Sequence, residues 1–170
     1  MKVLIWKERQ TLKNVGGPSG YLYNLNSFFE KENIKEIYYL ERKYLKKDCV
    51  TRIRKRIKNI KKIFIKDEIE KEKIEMLFEI NSKEKISKKY LDEFDFIHFH
   101  TTSELFKNIR NVENIKGKII LTSHSPELSS EETVKDKLGE KNFYEDENFL
   151  KKYKEYDYKS FERADYIIFP

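Results

Sequence analysis

The chain has 170 residues, with 36 Lys+Arg against 30 Asp+Glu, three His and one Cys, giving a formal net charge of +6. That length suits a single domain, residues 1–170, and a hydrophobic fraction of 38% with 12 Phe and 11 Tyr is too rich for a disordered chain. No run approaches the roughly 18 apolar residues of a membrane span, the short apolar start has no cleavage site of a secretory leader, and lone Cys49 excludes an internal disulfide framework or a Cys-based zinc finger. The expectation is a soluble, cytoplasmic protein.

The charge is unevenly placed. Residues 42–66 hold 12 Lys/Arg and one acid, Asp48, a local net of +11, while the other 145 residues hold 24 basic and 29 acidic side chains, a net of −5. Any reading of charge as a binding device concerns that basic arm alone.

Residues 3–6 predict a first strand. Nine residues later comes Gly16-Gly17-Pro18-Ser19-Gly20, then a helix over 19–31 with Leu22, Leu25, Phe28 and Phe29 on one face. Residues 36–40 predict a second strand. Val50, Ile53, Ile57, Ile60 and Phe64 recur at three- and four-residue spacing, the stripe of a helix, and 63–65 reads as a weaker strand. Asp67 with Glu70, Thr101 with Glu104, and Ser129 with Glu132 form capping-box patterns that mark helix starts. Residues 94–99, 118–122 and 165–169 predict strands, and Phe149, Leu150, Tyr153, Tyr156 and Phe161 belong to a last helix over 146–163. Near-continuous apolar strands alternating with helices predict an α/β fold, a doubly wound and mainly parallel Rossmann-like sheet. The close, Ala164 to Pro170, reads as a completed strand and a chain-breaking proline, as in one half of a two-domain protein.

Ligands of such sheets bind outside the carboxyl ends of the strands. Three stretches fall there. The glycine cluster lets the backbone turn and approach a ligand at a helix N-terminus, which suits a phosphate or a sugar hydroxyl; the alternative is a βα turn that only needs positive φ. No Gly-Lys-Ser/Thr follows, so it is not a P-loop, and the nine-residue gap fits a dinucleotide fingerprint poorly, although Glu41 stands where a ribose-binding acid would. His98 and His100 lie on one side of a strand. His98, between Ile97 and Phe99, reads as a buried core group, and His100 as a strand-end group that either meets ligand or bonds a neighbouring carbonyl. His124, flanked by Ser123 and Ser125 in the loop after the next strand, is the best candidate for chemistry: a titratable hydrogen-bonding group at the productive edge. A three-histidine metal site lacks an evident carboxylate second shell, and no metal site is expected. Nothing resembles a nucleophile elbow.

With these motifs in order, the chain resembles the N-terminal domain of the retaining glycosyltransferases of family 4, of the GT-B fold. The matching pieces are the first strand and long loop into Gly16-Gly17-Pro18-Ser19-Gly20-Tyr21, Asp95-Phe96-Ile97-His98-Phe99-His100, Ile120-Leu121-Thr122-Ser123-His124-Ser125, and Glu162-Arg163-Ala164-Asp165-Tyr166-Ile167-Ile168-Phe169-Pro170, together spanning essentially the whole chain. The resemblance implies transfer of a sugar from a nucleotide-sugar to a glycan or lipid-linked acceptor, with no cofactor beyond that co-substrate and no obligatory metal. It implies His124 as the group bonding the transferred sugar, and Gly16, Gly17, Ser19, Gly20, His100, Thr101 and Ser125 as donor- or acceptor-binding. The family's nucleotide-binding C-terminal domain has no counterpart in these residues, so the isolated chain is expected not to turn over donor.

The basic arm has three readings. Arg52, Arg54, Lys55, Arg56, Lys58, Lys61 and Lys62 around an apolar stripe suit an anionic membrane at the inner face, each cation near such a surface contributing about 1 kcal/mol. Alternatively the stripe packs on the sheet and the lysines are solvated. Nucleic-acid binding is the weaker reading, because the arm lacks interleaved aromatics. A non-catalytic binding module built on this arm is the alternative to the transferase.

Overall fold

A computed structural model describes residues 1–47, 49–82, 84–124 and 127–169; the side chains of residues 18, 47, 49–52, 54, 61 and 62 lie outside that description. In chain order the elements are β1 (Val3–Ile5), α1 (Gly17–Lys31), β2 (Ile37–Tyr39), β3 (Lys46–Lys47), α2 (Cys49–Phe64), α3 (Glu68–Ile80), β4 (Glu84–Lys85), α4 (Lys88–Leu91), β5 (Phe96–Phe99), α5 (Thr102–Val112), β6 (Lys118–Thr122), α6 (Ser129–Glu145), α7 (Glu147–Arg163) and β7 (Tyr166–Ile168). Five strands make one all-parallel sheet in the order β2-β1-β5-β6-β7, flanked by helices, and β3 pairs antiparallel with β4 as a separate ribbon. This is the Rossmann-like α/β architecture that alternating runs and helices predict. Counted within the sheet the strand order is 2-1-3-4-5, so winding reverses between β1 and β5 and opens a crevice at their carboxyl ends.

Side-chain alternation divides the sheet. Leu4, Trp6, Ile97, Phe99, Ile119 and Leu121 turn to one face and pack with Leu105 and Val112 of α5 and with Phe161 at the end of α7. A second cluster joins α3, α6 and α7 through Met76, Ile80, Val134, Leu138, Phe149 and Tyr153. On the opposite sheet face Ile5 is buried, whereas Tyr166 and Ile168 of the edge strand are about half exposed.

Two edges of the sheet are finished differently. At the amino edge, carboxylates take the strand-end amides: Asp95 accepts from Lys2 N (2.7 Å), Asp92 from Lys116 N (2.9 Å) and Asp165 from Ile119 N (2.8 Å). Asp95, which opens one of the quoted motifs, and Asp165, which lies within another, are therefore framework groups. At the carboxyl edge α5 begins directly after β5, with Thr101 as N-cap accepting from Glu104 N; Asp67 and Asp146 cap α3 and α7 in the same way, accepting from Ile69 N and Phe149 N.

Three expectations are corrected. The weak strand at 63–65 is absent, because α2 runs on through Phe64; the continuing three- and four-residue periodicity outweighs three β-branched or aromatic residues. The Ser129–Glu132 capping box does not form, since Leu128 is the N-cap and the Ser130 amide donates instead to Asp157 (2.9 Å). The apolar stripe of α2 does not pack on the sheet: Ile53, Ile57, Ile60, Ile63 and Phe64 are 49–81% exposed. What the helix turns inward is Lys58, which meets Glu75 at 2.6 and 2.8 Å and lies over the Phe78 ring.

Asp157, fully buried on α7, also accepts from the Thr102 hydroxyl, and Ser160 Oγ donates to Thr102 O (2.7 Å). Removing the carboxylate orphans a buried hydroxyl and a buried amide. Asp157→Ala is expected to cost about 3 kcal/mol in urea denaturation; a loss below about 1 kcal/mol would show that the clamp is dispensable.

Candidate functional site

The glycine turn enters α1 at the crevice beside β1. Gly17 has φ +72°, a conformation that disfavours side chains, and a Cβ on Gly20 would come within 1.8 Å of Val15 O. Gly16 is the N-cap; it offers no side-chain hydrogen bond, and a Cβ there would meet nothing within 4 Å. The turn thus satisfies a backbone requirement at Gly17 and Gly20 and leaves the α1 start without a side-chain cap, open to an anion. Ser19 Oγ accepts from Lys13 N (3.2 Å) and faces a different cleft from the histidines.

The three histidines come together on the α1 side of the carboxyl edge. The His98 and His100 rings are 4.1 Å apart, His98 Nε2 lies 2.7 Å from Thr122 Oγ1, and His100 Nδ1 lies 3.3 Å from His124 Nε2. Their burial reverses the expected order. His100 is the enclosed one, 2% exposed, while His98 is half-buried and bonded across to β6. Among the described residues no carbonyl is hydrogen-bonded to the His100 ring; its partner is the His124 ring, and its Nε2 is buried without a hydrogen-bond partner. Tyr21, which directly follows the glycine turn, completes the group, with its ring 5.4 Å from His124 and 6.1 Å from His100. Nothing in the local sequence distinguishes Tyr21 from the other ten tyrosines except its place after Gly20.

A cleft of about 470 Å³ collects Gly17, His100, Thr101, Ser123 and His124 with Lys107 of α5 and Lys137 of α6. Of the residues expected there, Gly17, His100, Thr101 and His124 share this cleft. Thr101 spends its hydroxyl on the α5 cap, accepting from Glu104 N (3.1 Å). Ser125 lies outside the described residues. Ser123 comes with its neighbour His124, whereas Lys107, Lys137 and the first turn of α6 are additions that only the packing of helices brings in. Glu41, the candidate ribose-binding acid, is far from this group in role: it pairs with Lys43 at 2.6 Å beside β2.

Burial sets the electrostatics. His98 is pushed down to about 4, first by desolvation and then by His124; His100 falls to about 3, by desolvation, then His98, His124 and Lys7; His124 is also lowered by burial. All three imidazoles are neutral at pH 7. In the His100–His124 contact one ring donates and the other accepts, so a single proton orients both. A neutral His124 can accept from, or donate to, a hydroxyl without adding charge. Among the described residues no group of three or more His, Cys, Asp and Glu is placed to hold a metal ion.

The fold and site define a doubly wound α/β domain with a neutral histidine cluster and an open helix N-terminus at its switch point. Comparison with protein-family models, with curated proteins and with solved structures returns no match.

Because the unfolded imidazoles, near 6.5, bind protons that buried His98 and His100 refuse, stability is full above about 6.5 and is lost as pH falls through about 4 and about 3. Thermal melts from pH 7 to 4 are expected to fall steadily, and the fall to be shallower in His100→Gln. A variant with the wild-type pH slope would remove His100 from the accounting.

Proposed function

We propose that this chain is one wall of a sugar transferase, the acceptor-side half of a two-domain enzyme that moves a sugar from a nucleotide-sugar to a hydroxyl. The observation that carries the reading is the meeting of Gly17, Tyr21, His100 and His124 at the β1/β5 crevice. There the α1 start offers N–H groups to a diphosphate and Lys107 adds positive charge, while Lys137 is held by Glu72 and Glu79 at 3.6 and 3.3 Å. His124, neutral and half-buried, is suited to hold a hydroxyl of the transferred sugar, with His100 fixing its ring. The acceptor oxygen would bond to the anomeric carbon as the nucleoside diphosphate leaves, with retention in keeping with the family resemblance. The second domain would supply the base-reading residues and close the crevice.

Titrating the chain with pyrophosphate, UDP and GDP under amide and imidazole NMR tests this. Shifts centred on Gly17, Tyr21 and His124 are expected, together with about tenfold weaker binding for Lys107→Ala, the effect of a lost charge-assisted bond. The chain alone is expected to transfer no sugar. Shifts scattered over lysines remote from the crevice would defeat the proposal.

A second, compatible reading concerns α2. No helix among the described residues is long and apolar enough to cross a membrane. Yet α2 carries five large apolar side chains outward, with exposed Lys55 and Arg56 beside them; the side chains of Arg52, Arg54, Lys61 and Lys62 are outside the described residues. Such a helix is suited to lie in an anionic bilayer surface. Nucleic acid would engage the cations and leave the isoleucines in water. A second copy would face like charge. Sedimentation with anionic vesicles is expected, reversed by salt, and abolished by Ile57→Glu, with a stability change within about 0.5 kcal/mol because the site is exposed. Equal sedimentation with neutral and anionic vesicles would count against it.

A further inference from the structure

His124 lies just past β6, where the last bond across to the edge strand runs from Ser123 N to Ile168 O at 2.9 Å. Among the described residues its ring has one hydrogen-bond partner, His100, whose Nδ1 is 3.3 Å from His124 Nε2. The two rings are inclined by only 21° with centroids 5.7 Å apart, so they point at each other nearly edge to edge. A bond at the long end of the hydrogen-bonding range orients a ring weakly. The second hold on His124 is Tyr21, whose ring stands at 60° to it and 5.4 Å away, and which reaches His100 at 6.1 Å.

Tyr21 is itself placed by the glycine turn. A Cβ on Gly20 would come within 1.8 Å of Val15 O, so the residue before Tyr21 is packed backbone to backbone, and Leu22 after it is buried. The Tyr21 side chain, by contrast, is 45% exposed and belongs to neither core cluster. Its ring does its packing against the imidazoles.

The contact between the imidazoles fixes which nitrogen is left for a ligand. His124 Nε2 is taken up by His100, so His124 Nδ1 is the atom available to a hydroxyl. Either His124 donates to His100 and its Nδ1 accepts, or His100 donates and His124 Nδ1 carries the proton. His100 Nε2, buried and unpartnered, is protonated in the first state and bare in the second. An imidazole free to turn would present Nδ1 only part of the time.

We infer that Tyr21 is the positioning residue of the proposed transfer: its ring, set by the glycine turn, holds His124 against His100 so that His124 Nδ1 meets the sugar hydroxyl. The inference rests on the transferase reading for the hydroxyl, and on the ring geometry alone for the hold on His124.

The test follows the imidazoles of the full chain by NMR from pH 8 to 4 in the wild type, Tyr21→Ala and Tyr21→Phe. Burial lowers the His124 pKa, and removing the ring admits water. The charged groups lining the cleft, Lys107 of α5, Lys137 and Glu132 of α6 and Glu79 of α3, are the same in all three chains, so a difference between chains reports the ring. In Tyr21→Ala the His124 midpoint is expected to rise toward the ordinary 6.5. Its tautomer ratio is expected to move about threefold toward that of a free imidazole, the weight of one aromatic contact. Tyr21→Phe keeps the ring and is expected to match the wild type. His98, bonded to Thr122, should stay uncharged in every chain until the pH approaches about 4, which reports an intact strand end. A His124 midpoint and tautomer ratio unchanged in Tyr21→Ala, or a Tyr21→Phe chain that behaves as the alanine variant, overturns the inference. A His98 that titrates near its ordinary value in Tyr21→Ala also overturns it, by making Tyr21 a structural prop. None of these measurements uses a nucleotide or a sugar, so failure here leaves the transferase reading to the pyrophosphate and UDP titrations.

Discussion

Asp157 accepts from the Thr102 hydroxyl and the Ser130 amide at once, so one enclosed carboxylate fixes the starts of α5 and α6 against each other. Those two helix starts flank the histidine cleft, and the loops carrying His100 and His124 lead directly into or toward them. A charge this deep is tolerated only because helix N-terminal groups point at it from two sides. The cleft thus takes its width from an interaction that takes no part in binding. Ser160, one turn along α7, doubles the tie through the Thr102 carbonyl.

The two edges of the sheet divide the polar chemistry. Aspartates finish the amino edge by accepting strand amides, an arrangement that is saturated and inert. The carboxyl edge holds buried atoms without a partner, His100 Nε2 and Glu104 Oε2, and an exposed α1 start without a side-chain cap. Buried polar atoms in folded proteins are nearly always paired. Two of the four unpaired buried atoms among the described residues, His100 Nε2 and Glu104 Oε2, stand at this edge, and the proposed histidine cleft is drawn from it.

Much of the architecture was legible because strands of a covered parallel sheet are written as nearly unbroken β-branched and aromatic runs. Residues 118–122 match β6 end to end, and the Thr101 and Asp67 caps fall where Ser/Thr/Asp and Glu spacing puts them. What failed was where tertiary context decided. Ser129 lost its capping role to a carboxylate 28 residues on in the chain, which no local pattern reports. The order of burial of His98 and His100 depends on Tyr21 and α1 lying over the strand end. The lysine ribbon β3–β4 is too short to leave a period. For the site, the residue types were visible and Tyr21 stood at the end of a quoted motif, but without a role, whereas Lys107 and Lys137 enter only through helices packed from elsewhere.

The outward isoleucines of α2 and the inward Lys58 fix a depth. Such helices settle about 5–10 Å below the water boundary of a bilayer, and a helix with its side chains is about 10–12 Å thick. On the proposed membrane reading, the waterline would run along the flank of α2 that divides its outward isoleucines from Lys58.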